Sequence, residues 1–175
     1  MQAVSGAGYP GVASMDILDN IIPFVPGEEE KVESEPRKML GQFNGQEIDY
    51  APMKISAHTN RVPVIDGHLV VTSVEFMQAT QPADAIRVMA DFKAPKIVAG
   101  LPSASQPVVI VRDEPDRPQP RRDRDEGNGM ASVVGRVRTD PLFHIKFVNL
   151  SHNTIRGAAG GAILNGELLA ADGKL

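Results

Sequence analysis

Arg61 and His68 are the two residues whose types and spacing best suit chemistry on a small substrate. They stand seven residues apart, and His68 follows Asp66-Gly67 at the start of an apolar run, where a strand would begin at the rim of a sheet. A guanidinium fork binds a carboxylate, and an imidazole can transfer a proton near neutral pH. The spacing alone leaves open that His68 is a hydrogen-bonded structural histidine.

Two further groups offer polar side chains for ligand binding. Glu28 and Lys31 stand three residues apart, so their opposite charges would share one helix face. They would bind an ammonium group and an anion, or form the weak ion pair that such spacing usually gives on a solvated face. Asn153 stands where a strand passes into a glycine-rich helix, either as an amide at a cleft or as the N-cap of that helix.

Composition excludes several classes of function. The 175 residues contain no Cys, so this chain supplies no disulfide, cysteine-ligated zinc, iron–sulfur cluster or cysteine nucleophile. The four histidines lack metal-site spacing, and no metal site is predicted. A net charge of −4, 5% aromatic residues and no Trp argue against binding to nucleic acid or an anionic membrane. No run is apolar enough to span a bilayer, and the first residues lack signal-peptide features, which predicts a cytoplasmic protein.

Two literal motifs are rejected for want of context. Residues Gly6 to Gly11 spell G-x-G-x-x-G, but no apolar strand precedes them, and Pro10 stands where helix amides should meet a pyrophosphate. The acidic run that begins at Asp123 resembles a calcium loop, yet it lacks the required Gly at the sixth position and Glu at the twelfth. Neither segment is predicted to bind a ligand.

Hydrophobic periodicity predicts an α+β fold with a largely antiparallel mixed sheet packed by a few helices. Residues 112–129 carry many charges, three prolines and two glycines, so they are predicted to form a long charged arm or loop that reaches a partner or is mobile. The predicted strands are 53–57, 68–76, 108–111, 131–137 and 143–150. The predicted helices are 14–22 with Ser14 as N-cap, 28–38 with a break near Glu35 caused by Pro36, 81–92 and 155–170.

Five segments in order resemble aspartate-semialdehyde dehydrogenase of the fungal and archaeal type, over essentially the whole chain. The resemblance covers only the C-terminal half of such an enzyme. It implies one dimerisation and catalytic domain over 1–175, like the C-terminal domain of glyceraldehyde-3-phosphate dehydrogenase, without the N-terminal NADP-binding domain. The segments are SGAGYPGVASMDILDN, GEEEKVESEPRKMLG, SAHTNRVPVIDGH, RDEPDRPQPRRDRDEGNGM and HNTIRGAAGGAILNGELL.

The resemblance also implies a reaction and a role for each candidate residue. The family reduces L-aspartyl-4-phosphate to L-aspartate 4-semialdehyde with NADPH and release of phosphate, on the route to lysine, threonine and methionine. His68 falls on the general acid/base and Arg61 on the residue that binds the substrate α-carboxylate. Glu28 and Lys31 fall on contacts to substrate and phosphate, and Asn153 on a position near the nicotinamide amide. The resemblance further implies a homodimer formed through an exposed sheet.

Departures from the family pattern limit what this chain does alone. The nucleophilic cysteine of the family is absent, so no thioacyl intermediate can form, and no tightly bound NADP is expected. Thr59 replaces a cysteine that is not the nucleophile, so that change should be mild. Two alternatives stay open: a freestanding dimerisation module that regulates an intact enzyme, and the same domain of a related acyl reductase such as malonyl-CoA reductase.

Overall fold

A computed structural model describes all 175 residues, and the chain divides into two compact units. The first unit consists of Met1–Gln2 and Val12–Pro63, and the second of Ala3–Gly11 and Val64–Leu175. The N-terminal residues are divided between the units, because Met1–Gln2 belong to the first and Ala3–Gly11 to the second. No helix has the length and apolar character needed to cross a bilayer.

The first unit is built on two helices, one of them short, and a small hairpin. A short helix α1 (Ser14–Ile17) precedes helix α2 (Glu28–Met39), and strands β1 (Gln42–Phe43) and β2 (Ile48–Asp49) pair antiparallel. The sequence predicted neither strand of this hairpin. Its turn is closed by Asn44, whose Oδ1 accepts the N–H groups of Gln46 and Glu47 at 3.0 Å each.

Three local predictions for this unit are wrong. The first helix ends at Ile17 rather than residue 22, because Asp19 adopts φ 54°, and Ser14 is its first residue rather than its N-cap. Helix α2 continues through Pro36 to Met39 without the predicted break. Residues 53–57 form no strand, and the amide of Ala57 bonds instead to the Glu33 carboxylate at 2.9 Å.

The second unit is a four-stranded mixed sheet with helices, which confirms the predicted α+β fold. The strand order is β3-β6-β5-β4, with β3 and β5 antiparallel to the central β6 and β4 parallel to β5. Val133, Ile145 and Leu150 are fully buried in it. The strands are β3 (His68–Val74), β4 (Val109–Arg112), β5 (Ser132–Thr139) and β6 (Ile145–Ser151), and the helices are α3 (Pro82–Ala90), α4 (Lys96–Ala99), α5 (Pro120–Asp123) and α6 (Gly160–Ala171).

The candidate residues of the second unit lie where β3 begins and β6 ends. His68 opens β3 opposite Ser151, the last residue of β6, so the chain that leaves β6 passes His68 immediately. It then makes a π-helical turn, Ile155–Ala159, before α6 begins, so the predicted helix exists but starts irregularly. His68 and the residues after Ser151 therefore lie at one edge of the sheet.

The charged segment 112–129 is anchored by a buried carboxylate. The Asp123 side chain is fully buried and accepts hydrogen bonds from Arg112, from Arg117 and from the amide of Gln119 at 2.6 Å. Burial alone would raise the pKa of Asp123, but the Arg117 hydrogen bonds, the Gln119 amide and the two guanidinium charges together hold it below its usual value. The segment is thus fastened within the second unit, and contact with a second copy stays a prediction.

Candidate active site

Glu28 stands at the N-terminus of α2 and is the centre of a polar cluster in the first unit. Gln2 donates from Nε2 to one carboxylate oxygen at 2.8 Å, and Lys31 donates from Nζ to the other at 3.1 Å. The Gln2 hydrogen bond, opposed by partial burial and helped by Lys31 and the Arg61 charge, lowers the pKa of Glu28 from its ordinary value. Glu28 is therefore a carboxylate at neutral pH. Its partner Lys31 keeps more than half of its side chain exposed.

Arg61 joins the same cluster from a different segment of the chain. Its backbone exchanges two hydrogen bonds with Ile22, at 2.8 and 3.0 Å, and it forms a β-bridge with Gln2. Its Nη1 reaches Gln2 Oε1 at 3.4 Å, and the residue is only 7% exposed. Arg61, Glu28 and Lys31 are thus brought together in one unit, with Gln2 bonded to both Arg61 and Glu28.

The other glutamates of α2 support the segment that carries Arg61. Glu29 accepts the backbone N–H of Thr59, and Glu33, one turn later, accepts that of Ala57, both at 2.9 Å. These two carboxylates replace the β-ladder that was predicted for residues 53–57. The acidic run at the start of α2 therefore has two functions: Glu28 belongs to the polar cluster, and Glu29 binds the backbone beside it.

In the second unit, His68 is held by a backbone amide. The N–H of Ala3 donates to Nδ1 of the imidazole at 3.3 Å. Because Nδ1 accepts this bond, the neutral ring carries its proton on Nε2. His68 itself is partly exposed at the first position of β3.

Asn153 is bonded to the turn that precedes His68, which corrects the N-cap interpretation. Its Oδ1 accepts the backbone N–H of Gly67, and its Nδ2 donates to Ser5 Oγ, both at 2.8 Å. The helical turn that follows has Thr154 as its N-cap, with no side-chain capping bond. Thr154 Oγ1 instead reaches Asp66 Oδ1 at 3.3 Å.

Sequence reasoning missed three residues of these clusters. Gln2 and Ser5 lie in a glycine-rich start with no local pattern, so no sequence signal identifies them. Gly67 carries a signal, because it has φ 101° and a Cβ there would lie 3.2 Å from Leu150 Cδ1. No group of three or more His, Asp or Glu side chains converges in a way that would hold a metal ion. The polar groups present suit the binding of charged substituents and proton transfer.

Comparison with known proteins assigns the chain to a family. A family model described as semialdehyde dehydrogenase, dimerisation domain, matches residues 1–156. The chain belongs to this semialdehyde dehydrogenase family. The match includes Glu28, Lys31, Arg61, His68 and Asn153.

Curated relatives and solved structures agree with the family assignment. The aspartate-semialdehyde dehydrogenase of Archaeoglobus fulgidus is 55% identical over 97% of this chain and 48% of that protein. The one from Schizosaccharomyces pombe is 52% identical over all of this chain and 50% of that protein. A crystal structure of aspartate semialdehyde dehydrogenase with NADP from Candida albicans superimposes with a TM-score of 0.89 and 46% identity, covering all of this chain and 50% of the other. The chain thus spans about half the length of the relatives it matches.

Proposed function

We propose that this chain is the substrate-binding and dimerisation half of an NADP-dependent aspartate-semialdehyde dehydrogenase acting in the cytoplasm. The reaction is the reversible reduction of L-aspartyl-4-phosphate to L-aspartate 4-semialdehyde with release of phosphate. The observation that carries the proposal is the first-unit cluster, where Gln2 bridges the Glu28 carboxylate and the Arg61 guanidinium. An amino-acid substrate carries the two complementary charges.

Each charged residue of that cluster has one role. Arg61 binds the substrate α-carboxylate, for which its planar fork of donors is suited. Glu28 binds the α-ammonium group, because its lowered pKa keeps it anionic at neutral pH. Lys31, more than half exposed and paired with Glu28 at 3.1 Å near the start of α2, neutralises the phosphate.

His68 is the general acid/base of the proposed reaction. With Nδ1 accepting the Ala3 amide, the neutral ring carries its proton on Nε2 and donates from there toward the substrate oxygen, and the ring takes up a proton at Nδ1 when the Ala3 bond opens. NADPH supplies the hydride when bound. Asn153 uses one lone pair and one N–H internally, so one acceptor site and one donor remain, which fits the carboxamide of nicotinamide. A cysteine outside this sequence must provide the nucleophile, so the 175-residue chain alone should show no turnover.

A chimera tests the proposal. The chain replaces the matching half of the Schizosaccharomyces pombe relative, and phosphate-dependent reduction of NADP is measured with aspartate semialdehyde. We expect activity that His68→Gln abolishes, and that Arg61→Lys reduces mainly through a higher KM. If a folded, dimeric chimera does not react with aspartate semialdehyde but reduces malonyl-CoA, the chain would be assigned to a different acyl reductase. Inhibition of the intact relative by the isolated chain would instead support a regulatory module.

The proposed homodimer uses the open face of the β3–β6 sheet. Val70 on β3 is 47% exposed, and Asn149 stands opposite it on β6. Phe147, two residues from Asn149, shares that face, so Val70 and Phe147 offer apolar surface to a second copy. Light scattering should show that Val70→Lys converts a dimer to monomers, whereas Val88→Lys, on exposed α3, does not. A dimer that survives Val70→Lys would place the interface elsewhere.

A further inference from the structure

We propose that Asn153 is a positioning residue for His68, because its side chain joins the two backbone segments that hold the imidazole. The catalytic meaning of this role rests on the proposed function, in which His68 transfers a proton. The structural part concerns only hydrogen bonds within the second unit.

The two hydrogen bonds of Asn153 reach both sides of His68. Gly67, which donates to Oδ1, is the residue directly before His68 in the chain. Ser5, which accepts from Nδ2, stands two residues after Ala3, whose amide donates to His68 Nδ1. A single side-chain amide therefore bonds both to the backbone that carries the ring and to the N-terminal segment whose amide bonds to the ring.

Other contacts hold Asp66, whereas the N–H of Gly67 is bonded to Asn153. Arg124 Nη1 donates to the carbonyl of Asp66, and Thr154 Oγ1 donates to the Asp66 carboxylate, both at 3.3 Å. Gly67 itself is buried, with a positive φ. The buried N–H of Gly67 donates to Oδ1 of Asn153 at 2.8 Å. Removing this oxygen would leave the N–H without an acceptor, and the turn would shift to find one.

The position of Asn153 is in turn set by the sheet. Ser151, the last residue of β6, pairs with His68. Asn153 follows Ser151 by two residues and therefore lies beside the start of β3. The side chain of Asn153 bonds to Gly67 and Ser5, and the N-cap of the helical turn that follows is Thr154. Substitution should therefore act on His68 and leave helix α6 intact.

Nuclear magnetic resonance of the isotope-labelled chain tests the structural part directly. The readouts are the scalar coupling between the Ala3 amide nitrogen and His68 Nδ1, and hydrogen exchange at the Ala3 amide. Asn153→Ala should abolish the coupling and speed exchange about ten-fold, equivalent to about 1.4 kcal/mol. Asn153→Asp should restore both, because a carboxylate accepts from the Gly67 N–H and from the Ser5 hydroxyl. Asn165→Ala, on an exposed position of α6, is the matched control and should change neither.

Three outcomes would overturn the proposal or keep it separate from the proposed function. A folded Asn153→Ala chain that retains the coupling and the native exchange rate refutes it. If that variant does not fold, Ser5→Ala decides, because it removes only one acceptor and should still weaken the Ala3–His68 bond. In the chimera, Ser5→Ala should lower kcat several-fold with KM for aspartate semialdehyde unchanged, and an unchanged kcat contradicts the role. A chimera that stays active with His68→Gln would refute the proposed function while leaving the resonance result intact.

Discussion

Replacing Asp123 with Asn is the most informative test of how the charged segment 112–129 is held. The native carboxylate, fully buried, accepts hydrogen bonds from Arg117 Nε at 2.7 Å, from Arg117 Nη2, from Arg112 Nε at 3.3 Å and from the Gln119 amide at 2.6 Å. Asn is nearly isosteric, but it removes the charge and turns one acceptor into a donor that faces other donors. The substitution therefore isolates the electrostatic contribution.

The expected loss of unfolding free energy depends on which charged groups still have an ion-pair partner in the variant. Breaking a buried ion pair by neutralising one member costs about 3–5 kcal/mol, because the other charge stays buried. Arg112 also pairs with Glu126, and Arg117 with Glu114 at 3.8 Å, so neither guanidinium is left alone. The lower end, about 3 kcal/mol, is therefore expected for Asp123→Asn. With a urea dependence of about 2 kcal/mol per molar, the unfolding midpoint should fall by about 1.5 M.

Urea unfolding followed by circular dichroism measures this loss. Asp125→Asn is the control, since Asp125 lies in the same segment with a side chain 73% exposed, and it should change stability by less than about 0.5 kcal/mol. Because the pKa of Asp123 is lowered by folding, its stabilisation is complete above the ordinary Asp value and is lost as pH falls through the folded-state value. The difference in unfolding free energy between the native and Asp123→Asn chains should be constant above about pH 5 and shrink below about pH 4. A loss under about 1 kcal/mol, or one equal to the control, would refute the assignment.

Two further substitutions test buried positions near the candidate residues. Thr59 is 5% exposed and its buried Oγ1 has no hydrogen-bond partner, so Thr59→Val should raise the unfolding free energy by about 1 kcal/mol in urea titrations; a loss of that size would mean that the hydroxyl is bonded. Gly67→Ala forces a side chain into φ 101° and places its Cβ 3.2 Å from Leu150 Cδ1, which should cost about 1–3 kcal/mol from the backbone conformation alone. Gly100→Ala, with a negative φ and open space at the Cβ position, is its control and should be nearly neutral in the same urea titrations; equal effects would show that Gly67 is not conformationally required.

The sheet of the second unit was predictable from sequence because its signals are local. The β-branched run after His68 forms β3, and Pro82 opens α3 as its fixed φ allows. The β1–β2 hairpin was missed although Asn44-Gly45 marks its turn, because each strand has only two residues and shows no alternation. The break predicted at Pro36 does not occur, because the missing N–H of the proline costs only one hydrogen bond and α2 still closes its last turn.

The charged segment shows what composition leaves undetermined. Six acidic and basic residues between Arg112 and Asp123 read as a solvated or partner-directed arm. In the fold, opposite charges within that stretch satisfy one another around Asp123, so the segment is anchored by the residues that made it look exposed. Which carboxylate is buried depends on the three-dimensional path of the chain, and no spacing rule gives it.

Sequence and family resemblance propose the residues of the candidate site but not how each residue is held. Arg61, Glu28 and Lys31 carry charge patterns that sequence reasoning can identify, and resemblance to a family assigned His68. The groups that orient them are a glutamine at position 2 and a backbone amide at position 3, neither of which has a type-specific signature.

Long-range closure explains this asymmetry. Asn153 and Ser5 are 148 residues apart and Asn153 and Gly67 are 86 apart, so both bonds close long loops. The entropy of closing such loops is offset by the β3–β6 ladder, which brings Ser151 beside His68 whatever occupies position 153. The bond of Asn153 to Gly67 therefore adds little to bringing those two segments together and acts mainly on the local geometry of the turn before His68. A residue of this kind should show a larger effect on the His68 environment than on the free energy of unfolding, which is the distinction that the Ala3 amide exchange measures.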